Sequence, residues 1–170
     1  MVYVIDQVSK MAVLKCLGYA EEKTVIEGFF KLVRWANTGA AWSMFHNNNE
    51  LLAIVALVAL LVLFLSRRRF YMQRKPGWIA LGLMFGGIVG NLTDRLFRGH
   101  VLDFLYFYLK RHTEAGTGEI GFPAFNVADS AICVGVVLLF LLSFQKEPSE
   151  APAAPANDGG EAGQENGSKD

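Results

Sequence analysis

Two aspartates, Asp103 and Asp129, are placed where they could form a catalytic pair. Asp103 lies just past the apolar run 78–97 and Asp129 opens the apolar run 127–144, so both carboxyl groups are expected at the same membrane level. Two carboxylates in a poorly solvated site cannot both ionise cheaply, so one pKa rises and the pair shares a proton. Such a pair can hydrolyse a peptide bond, because one carboxylate activates water while its protonated partner polarises the carbonyl.

Each aspartate also has a purely structural explanation. Asp103 could cap a helix or lie in a solvated loop, with His100 three residues before it. Asn126 could cap the following helix, where Asp129 would interact favourably with the helix dipole. For single residues both explanations stay open, and it is the shared depth of the two acids that favours catalysis.

Further polar residues lie beside apolar runs. On a helix, Asn91, Asp94 and Arg95 share one face, and we interpret Asp94 as half of a structural Asp–Arg pair. Arg95 could position backbone or substrate oxygens with its planar guanidinium. Asp6 and Lys10 stand four residues apart with the acid first, which favours a structural ion pair near the outer interface.

The composition indicates that membrane-spanning segments position these residues. Hydrophobic residues make up 52% of the 170 residues and charged residues 19%, while the formal net charge of zero gives no indication of a nucleic-acid partner. The runs 50–67, 78–97 and 127–144 are predicted to span the bilayer. Residues 1–16 are predicted to be a partial first span, whose beginning would lie upstream.

Small residues predict how these spans pack together, and basic residues predict how they are oriented in the membrane. Gly82, Gly86 and Gly90 recur every four residues, joined by Gly87, and this spacing predicts close helix packing. The connection after the first clear run carries five basic residues, which predicts a cytoplasmic loop: Arg67, Arg68, Arg69, Arg74 and Lys75. Segments 11–49 and 98–126 would then face the cell exterior.

Cys16 and Cys133 are interpreted as unpaired structural thiols.

The remaining segments are assigned by composition. Residues 29–36 have a strand-like pattern and 37–39 a turn-like one, so a small extramembrane sheet is expected there. Residues 105–125 are predicted to be a long interfacial connection, mobile at 116–121. The tail 147–170 is acidic and rich in Pro, Ala and Gly, which predicts disorder in the cytoplasm.

Five blocks of residues in this order resemble the signature of the bacterial lipoprotein signal peptidases. The resemblance covers residues 1 to about 145. The blocks are Asp6-Gln7-x-x-Lys10, Asn37-x-Gly39-Ala40-Ala41-Trp42-Ser43, Gly86-Gly87-x-x-Gly90-Asn91-x-x-Asp94-Arg95, Val101-x-Asp103-Phe104 and Phe125-Asn126-x-Ala128-Asp129.

The resemblance implies an all-α membrane protein, a bundle of four transmembrane helices with a small extracytoplasmic β-sheet, within one domain at 1–146. It implies that Asp103 and Asp129 are the catalytic dyad of an aspartic endopeptidase. It also implies a set of residues that support the dyad or bind substrate and inhibitor: Asp6, Lys10, Asn37, Gly39, Asn91, Arg95, Asn126 and Ala128.

The resemblance also implies the partners and location. The substrate would be a prolipoprotein whose lipobox cysteine carries diacylglycerol, cut just before that cysteine, and the inhibitor would be the cyclic peptide globomycin. The enzyme would need no metal or organic cofactor. It would be a monomer in the bacterial inner membrane, in contact with membrane lipid, with its active site outside and its C-terminus in the cytoplasm.

Other functions are less consistent with these residues. The sequence lacks a His-Glu-x-x-His zinc motif, and Ser43 and Ser130 lack an evident base for serine-protease chemistry. A transporter would distribute its acids across the membrane, whereas here they gather at one surface. A scaffold without chemistry would leave Asp129 with no role beyond capping.

Overall fold

The computed structural model describes residues 1–39, 48–71, 74–113 and 116–144. Residues Ala40 to Ser43 of the second signature block, and the tail at 147–170, lie outside the described residues. The described chain forms, in order, α1 (Val2–Cys16), β1 (Glu22–Ile26), β2 (Phe30–Asn37), α2 (Asn49–Tyr71), α3 (Arg74–Arg98), β3 (Val101–Thr113), β4 (Gly116–Gly121) and α4 (Val127–Ser143).

Two of the helices are long and apolar enough to cross a membrane. These segments are Asn49–Arg67 in α2 and Pro76–Arg98 in α3, and they match the runs predicted at 50–67 and 78–97. The run predicted at 127–144 forms the apolar but shorter helix α4 of 17 residues. The described part of α1 is one continuous helix that runs through Asp6 to Cys16.

Helix α3 packs against each of the other helices, and glycines set its distance from two of them. A Cβ atom on Gly87 would lie 2.5 Å from the carbonyl oxygen of Ala128 in α4, and one on Gly86 would lie 2.7 Å from the Val2 side chain in α1. The prediction of close packing is therefore confirmed at these positions. It is wrong at Gly82, which has open space around it.

Replacing Gly87 by alanine should destabilise the bundle by about 1–3 kcal/mol, because a backbone carbonyl obstructs the new methyl group and the helices must separate. Gly82→Ala is the matched control in the same helix, since its Cβ would meet no atom within 4 Å. Thermal unfolding in detergent measures both variants. Equal melting temperatures for the two would contradict the packing argument.

The sheet is more extensive than predicted. Its four strands are antiparallel in the order β1-β2-β3-β4. The predicted strand at 29–36 is confirmed as β2, and Asn37 both ends that strand and begins the predicted turn, since its side chain accepts a hydrogen bond from the Gly39 backbone N–H. The connection predicted at 105–125 is largely the β3–β4 pair, and 116–121 is a strand. Alternating aromatic residues along 104–108 fit a pleated, half-buried strand, which explains the difference.

A small apolar cluster joins the sheet to the helices. Val13 of α1 and Leu17, the residue that follows α1, pack against Leu102 and Phe104 of β3, and all four side chains are buried. Farther along β3, Leu105 forms an isolated bridge with Phe125, next to the start of α4. These contacts hold the first residues of β3 beside the N-terminus of α4.

Candidate active site

Asp103 lies near the start of β3, just after the turn that leaves α3. Gly99 in that turn has φ +73°, a backbone conformation that side chains other than glycine rarely adopt. The Asp103 side chain is 4% exposed. Its Oδ2 accepts a hydrogen bond from Asn37 Nδ2 at 2.8 Å and its Oδ1 accepts one from Asn126 Nδ2 at 2.9 Å. Asp103 is therefore neither a helix cap nor a solvated loop residue.

Asp129 lies in the first turn of α4 and closes a capping box with Asn126. The Asn126 side chain accepts from the Asp129 backbone N–H at 3.0 Å, and Asp129 Oδ2 accepts from the Asn126 backbone N–H at 3.1 Å. The predicted cap is thus confirmed. The other oxygen, Oδ1, accepts from Asn91 Nδ2 at 2.6 Å, so capping leaves half of this carboxylate for other interactions.

The two aspartates face one cavity of about 1020 Å³. Asn126 joins them, since its side-chain amide binds Asp103 and its backbone N–H binds Asp129. Burial, together with the nearby charge of Asp129, raises the pKa of Asp103 to about 7, although the hydrogen bonds from Asn37 and Asn126 act in the opposite direction. The geometry therefore brings together two carboxyl groups of which at least one can hold a proton near neutral pH.

A fully buried ionic network lies behind the cavity. Lys10 Nζ is 2.9 Å from Asp6 Oδ2 and 2.8 Å from Asp94 Oδ2, and it donates to Asn91 Oδ1 at 3.0 Å. The predicted Asp6–Lys10 pair is confirmed, although it lies in the core at 0% exposure. Asp6 Oδ1 also accepts from the backbone N–H of Ala128 at 3.0 Å, which connects α1 to the first turn of α4.

The predicted structural pair of Asp94 and Arg95 is wrong. Asp94 pairs with Lys10, because α1 packs against α3, and with Arg98, which lies one helical turn later in α3. Arg95 lines the cavity instead, and its guanidinium nitrogen Nη2 donates to the carbonyl oxygen of Gly39 at 3.3 Å. Its Nε is buried without a hydrogen-bond partner in the described part of the chain.

The site also contains residues that sequence reasoning missed. Gln7 donates to Asp94 and to the carbonyl of Gly90, and it accepts from Arg98, so it connects α1 to α3. The ion pair between Asp94 and Arg98 was also missed, and the i,i+4 spacing of these two residues could have indicated it. The apolar wall of the cavity has no comparable local signal, since it is contributed by separate elements: Trp35, Leu52, Val55, Ala59, Phe125, Ile132 and Cys133.

The fold and the site together define a class, a helical membrane protein with paired carboxylates beside a large apolar cavity. Among known families, a family model described as Signal peptidase (SPase) II matches residues 1–145. The chain belongs to the signal peptidase II family, and it is therefore a peptidase.

Individual relatives and solved structures agree with this assignment. The lipoprotein signal peptidase of Geobacillus kaustophilus is 34% identical over 143 residues, which is 84% of this chain and 88% of that protein. The lipoprotein signal peptidase of Geobacter metallireducens is 40% identical over 141 residues, covering 81% and 82% of the two chains. Two bacterial membrane enzymes solved by the in meso method, at 2.3 and 1.9 Å resolution, share the fold with TM-scores of 0.67 and 0.66. They are 28% and 26% identical, covering 82% and 86% of this chain and 80% and 89% of theirs.

Proposed function

We propose that this chain is an aspartic endopeptidase that removes the signal peptide from diacylglyceryl-modified prolipoproteins, cutting just before the lipid-modified cysteine. Asp103 and Asp129 are its catalytic dyad. The observation that carries the proposal is the placement of both carboxylates on one cavity, joined through Asn126. Membership of the signal peptidase II family supports the substrate class.

The dyad accounts for hydrolysis without a covalent intermediate. The ionised carboxylate takes a proton from a water molecule, whose oxygen attacks the scissile carbonyl carbon, while the protonated partner gives its proton to the carbonyl oxygen. The tetrahedral intermediate then collapses as the C–N bond breaks: the leaving nitrogen takes the proton that the first carboxylate removed from water, and a hydroxyl group of the intermediate returns a proton to the second carboxylate as the new C=O bond forms. Arg95, at the wall of the same cavity, supplies a positive charge near the developing oxyanion.

The apolar wall of the cavity suits a substrate that carries a lipid. Leu52, Val55 and Ala59 of α2 and Ile132 of α4 line it opposite the polar groups. Both helices pack on α3, and their outer surfaces carry exposed aliphatic side chains such as Leu57. An acyl chain held there would keep the peptide bond beside the dyad, so that membrane presentation contributes to orientation.

The proposed topology has four spans in the bacterial inner membrane. The basic residues at the end of α2 and the start of α3 favour a cytoplasmic location for the connection between these helices, and the dyad and the sheet would then face outward. The C-terminal end of α4 then leads to the cytoplasmic tail at 147–170. Residues 1–146 form the peptidase domain in this arrangement, which functions as a monomer without a metal or organic cofactor.

Cleavage should slow as the pH rises above about 7, where the Asp103 carboxyl group loses its proton. A raised pKa keeps this acid protonated below that value, and above it the pair holds two negative charges and no proton for the carbonyl oxygen. The rate should fall about tenfold per pH unit on this side. Single-turnover rates between pH 5 and 9 measure the profile.

Asn37→Ala provides the internal control for that assignment. It removes a hydrogen bond that lowers the pKa of Asp103, so the descending part of the profile should move to higher pH. A profile that stays in place in this variant, or a wild-type rate that is constant up to pH 9, would exclude Asp103 as the group responsible.

The function is tested with purified full-length protein in lipid nanodiscs. The substrates are a prolipoprotein with its diacylglyceryl group, the same precursor without lipid, and a precursor with serine at the lipobox cysteine. We expect cleavage of the first alone, an N-terminal lipid-modified cysteine in the product by mass spectrometry, and inhibition by globomycin. Equal cleavage of all three precursors, or none of any, would refute the proposal.

A further inference from the structure

Three asparagine side chains surround the two carboxylates, and each directs its NH2 group at a carboxylate oxygen. Asn37 and Asn126 donate to Asp103 at 2.8 and 2.9 Å, and Asn91 donates to Asp129 at 2.6 Å. A side-chain amide can turn over and present its oxygen instead, which would repel a carboxylate. The site therefore needs a means of keeping each amide in the donating orientation.

Backbone N–H groups orient two of these amides. The N–H of Gly39 donates to Asn37 Oδ1 at 2.9 Å, and the N–H of Asp129 donates to Asn126 Oδ1 at 3.0 Å. A backbone N–H cannot act as an acceptor, so an amide that turned over would place its NH2 against another donor. These two orientations follow from the fold itself.

Two side chains orient the third amide, and one of them is Asn126, whose Nδ2 donates to Asn91 Oδ1 at 3.2 Å. Lys10 Nζ donates to Asn91 Oδ1 at 3.0 Å, and an ammonium group has no acceptor site. The ammonium is held in place by Asp6 and Asp94, at 2.9 and 2.8 Å, with all three side chains at 0% exposure. It therefore has no access to water, and no freedom to release the Asn91 oxygen without leaving both carboxylates.

We propose that Lys10 is a positioning residue of this peptidase, which acts by holding the Asn91 amide with its NH2 group toward Asp129. This inference rests on the proposed function of Asp103 and Asp129 as a dyad. It explains why Asn91 donates a hydrogen bond to Asp129. Lys10 does not touch the substrate. It acts through Asn91, whose amide oxygen is held by side chains instead of a backbone N–H, and Lys10 is the nearer of the two donors to that oxygen.

The arrangement also directs the dyad's proton. Because the three amide oxygens face Gly39, Lys10 and the Asp129 backbone, none of them is turned toward the carboxylates to accept a proton. Among the described residues, these three amides offer the protonated aspartate no acceptor, and its hydrogen is available to the other aspartate, to water or to a substrate carbonyl in the cavity. This is the direction that catalysis requires.

The test removes Lys10 without leaving an uncompensated charge. Asp6→Asn with Lys10→Met deletes one acid and one base, keeps a side-chain oxygen for the Ala128 N–H, and leaves Asp94 paired with Arg98. In single-turnover assays in nanodiscs on lipid-modified precursor, kcat should fall about tenfold or more with KM within about twofold. An unchanged kcat in this double variant would overturn the proposal.

A mutant cycle separates positioning from general structural support. Asn91→Ala should lower kcat by a similar factor, and adding it to the double variant should cause little further loss, because both changes remove the same hydrogen bond to Asp129. If the losses multiply instead, Lys10 acts by another route and the proposal fails. Loss of the dyad assignment would be recognised separately, by cleavage that persists in Asp103→Asn or Asp129→Asn.

Two further variants keep the test decisive if the double variant folds poorly. Asn91→Asp retains a partner for Lys10 but replaces the donor facing Asp129 with an oxygen, so kcat should fall at least tenfold, and full activity would overturn the proposal. Arg98→Gln is the control, since it removes the other cation of the network and leaves Lys10 in contact with Asp6, Asp94 and Asn91. The folded fraction of this control should retain kcat within about twofold. A tenfold loss of kcat in the control would show that any damage to the network lowers activity, and it would overturn the proposal.

Discussion

Asp103→Asn and Asp129→Asn are each expected to lower cleavage of lipid-modified precursor by about 10³-fold or more. An amide at either position cannot take a proton from water or give one to the carbonyl oxygen, so the shared-proton chemistry is lost. Asparagine has nearly the same volume as aspartate, and it keeps one acceptor oxygen for the surrounding amide and backbone donors. Stability should therefore change by no more than about 2 kcal/mol.

Rates are measured by single turnover in nanodiscs, and folding by thermal unfolding and size-exclusion chromatography. The matched control is Glu27→Gln, which removes an acid that is paired with Lys110 on the exposed side of the sheet. Its side chain is 73% exposed, so its rate should stay within about twofold of wild type. Full cleavage by either aspartate variant would remove that residue from the dyad.

The largest effect on stability is expected for Lys10→Met. This change leaves Asp6 and Asp94 buried at 0% exposure without the ammonium that contacts both. Removing one partner from a buried ionic group costs about 3–5 kcal/mol, because an uncompensated charge stays in a medium of low dielectric constant. We expect low yield of folded protein and a large fall in melting temperature in detergent.

Two comparisons determine whether charge is the cause. Lys31→Met removes a lysine that also contacts two acids, Glu22 and Glu119, but at the surface of the sheet, and it should cost no more than about 1 kcal/mol. Adding Asp6→Asn to Lys10→Met should restore much of the lost stability, since it equalises the buried charges. A Lys10→Met protein as stable as wild type would show that water reaches this network.

The buried network is electrically balanced, which explains how an apolar bundle tolerates it. Asp6 and Asp94 carry two negative charges, and Lys10 and Arg98 carry two positive ones, with Gln7 joining the two halves. Charges at membrane depth are stable when they are paired and hydrogen-bonded. The neutral network can therefore connect α1 to α3 and to the start of α4, while the dyad faces the cavity and is linked to the network through Asn91.

Local patterns in the sequence were sufficient for the long apolar helices, the strand now seen as β2, the Asn126 cap and the Asp6–Lys10 pair. Each of these depends on residues within a few positions of one another, where helical and strand periodicity determine which side chains meet. The convergence of Asp103 and Asp129 on a shared proton was predicted from their common depth and from the family resemblance, without the contacts that join them. The hydrogen bonds that join them through Asn126 became visible in the folded chain.

Partner choice among several nearby charges was decided by the tertiary structure alone. Sequence proximity favoured Arg95 as the partner of Asp94, but packing of α1 against α3 brought Lys10 to Asp94 and left Arg95 on the cavity wall. The pairing of β3 with β4 likewise depends on contacts between distant residues. Sequence alone thus determined which residues are chemically able to form the site, while long-range packing, which removes water from some charges and not others, decided how they are paired.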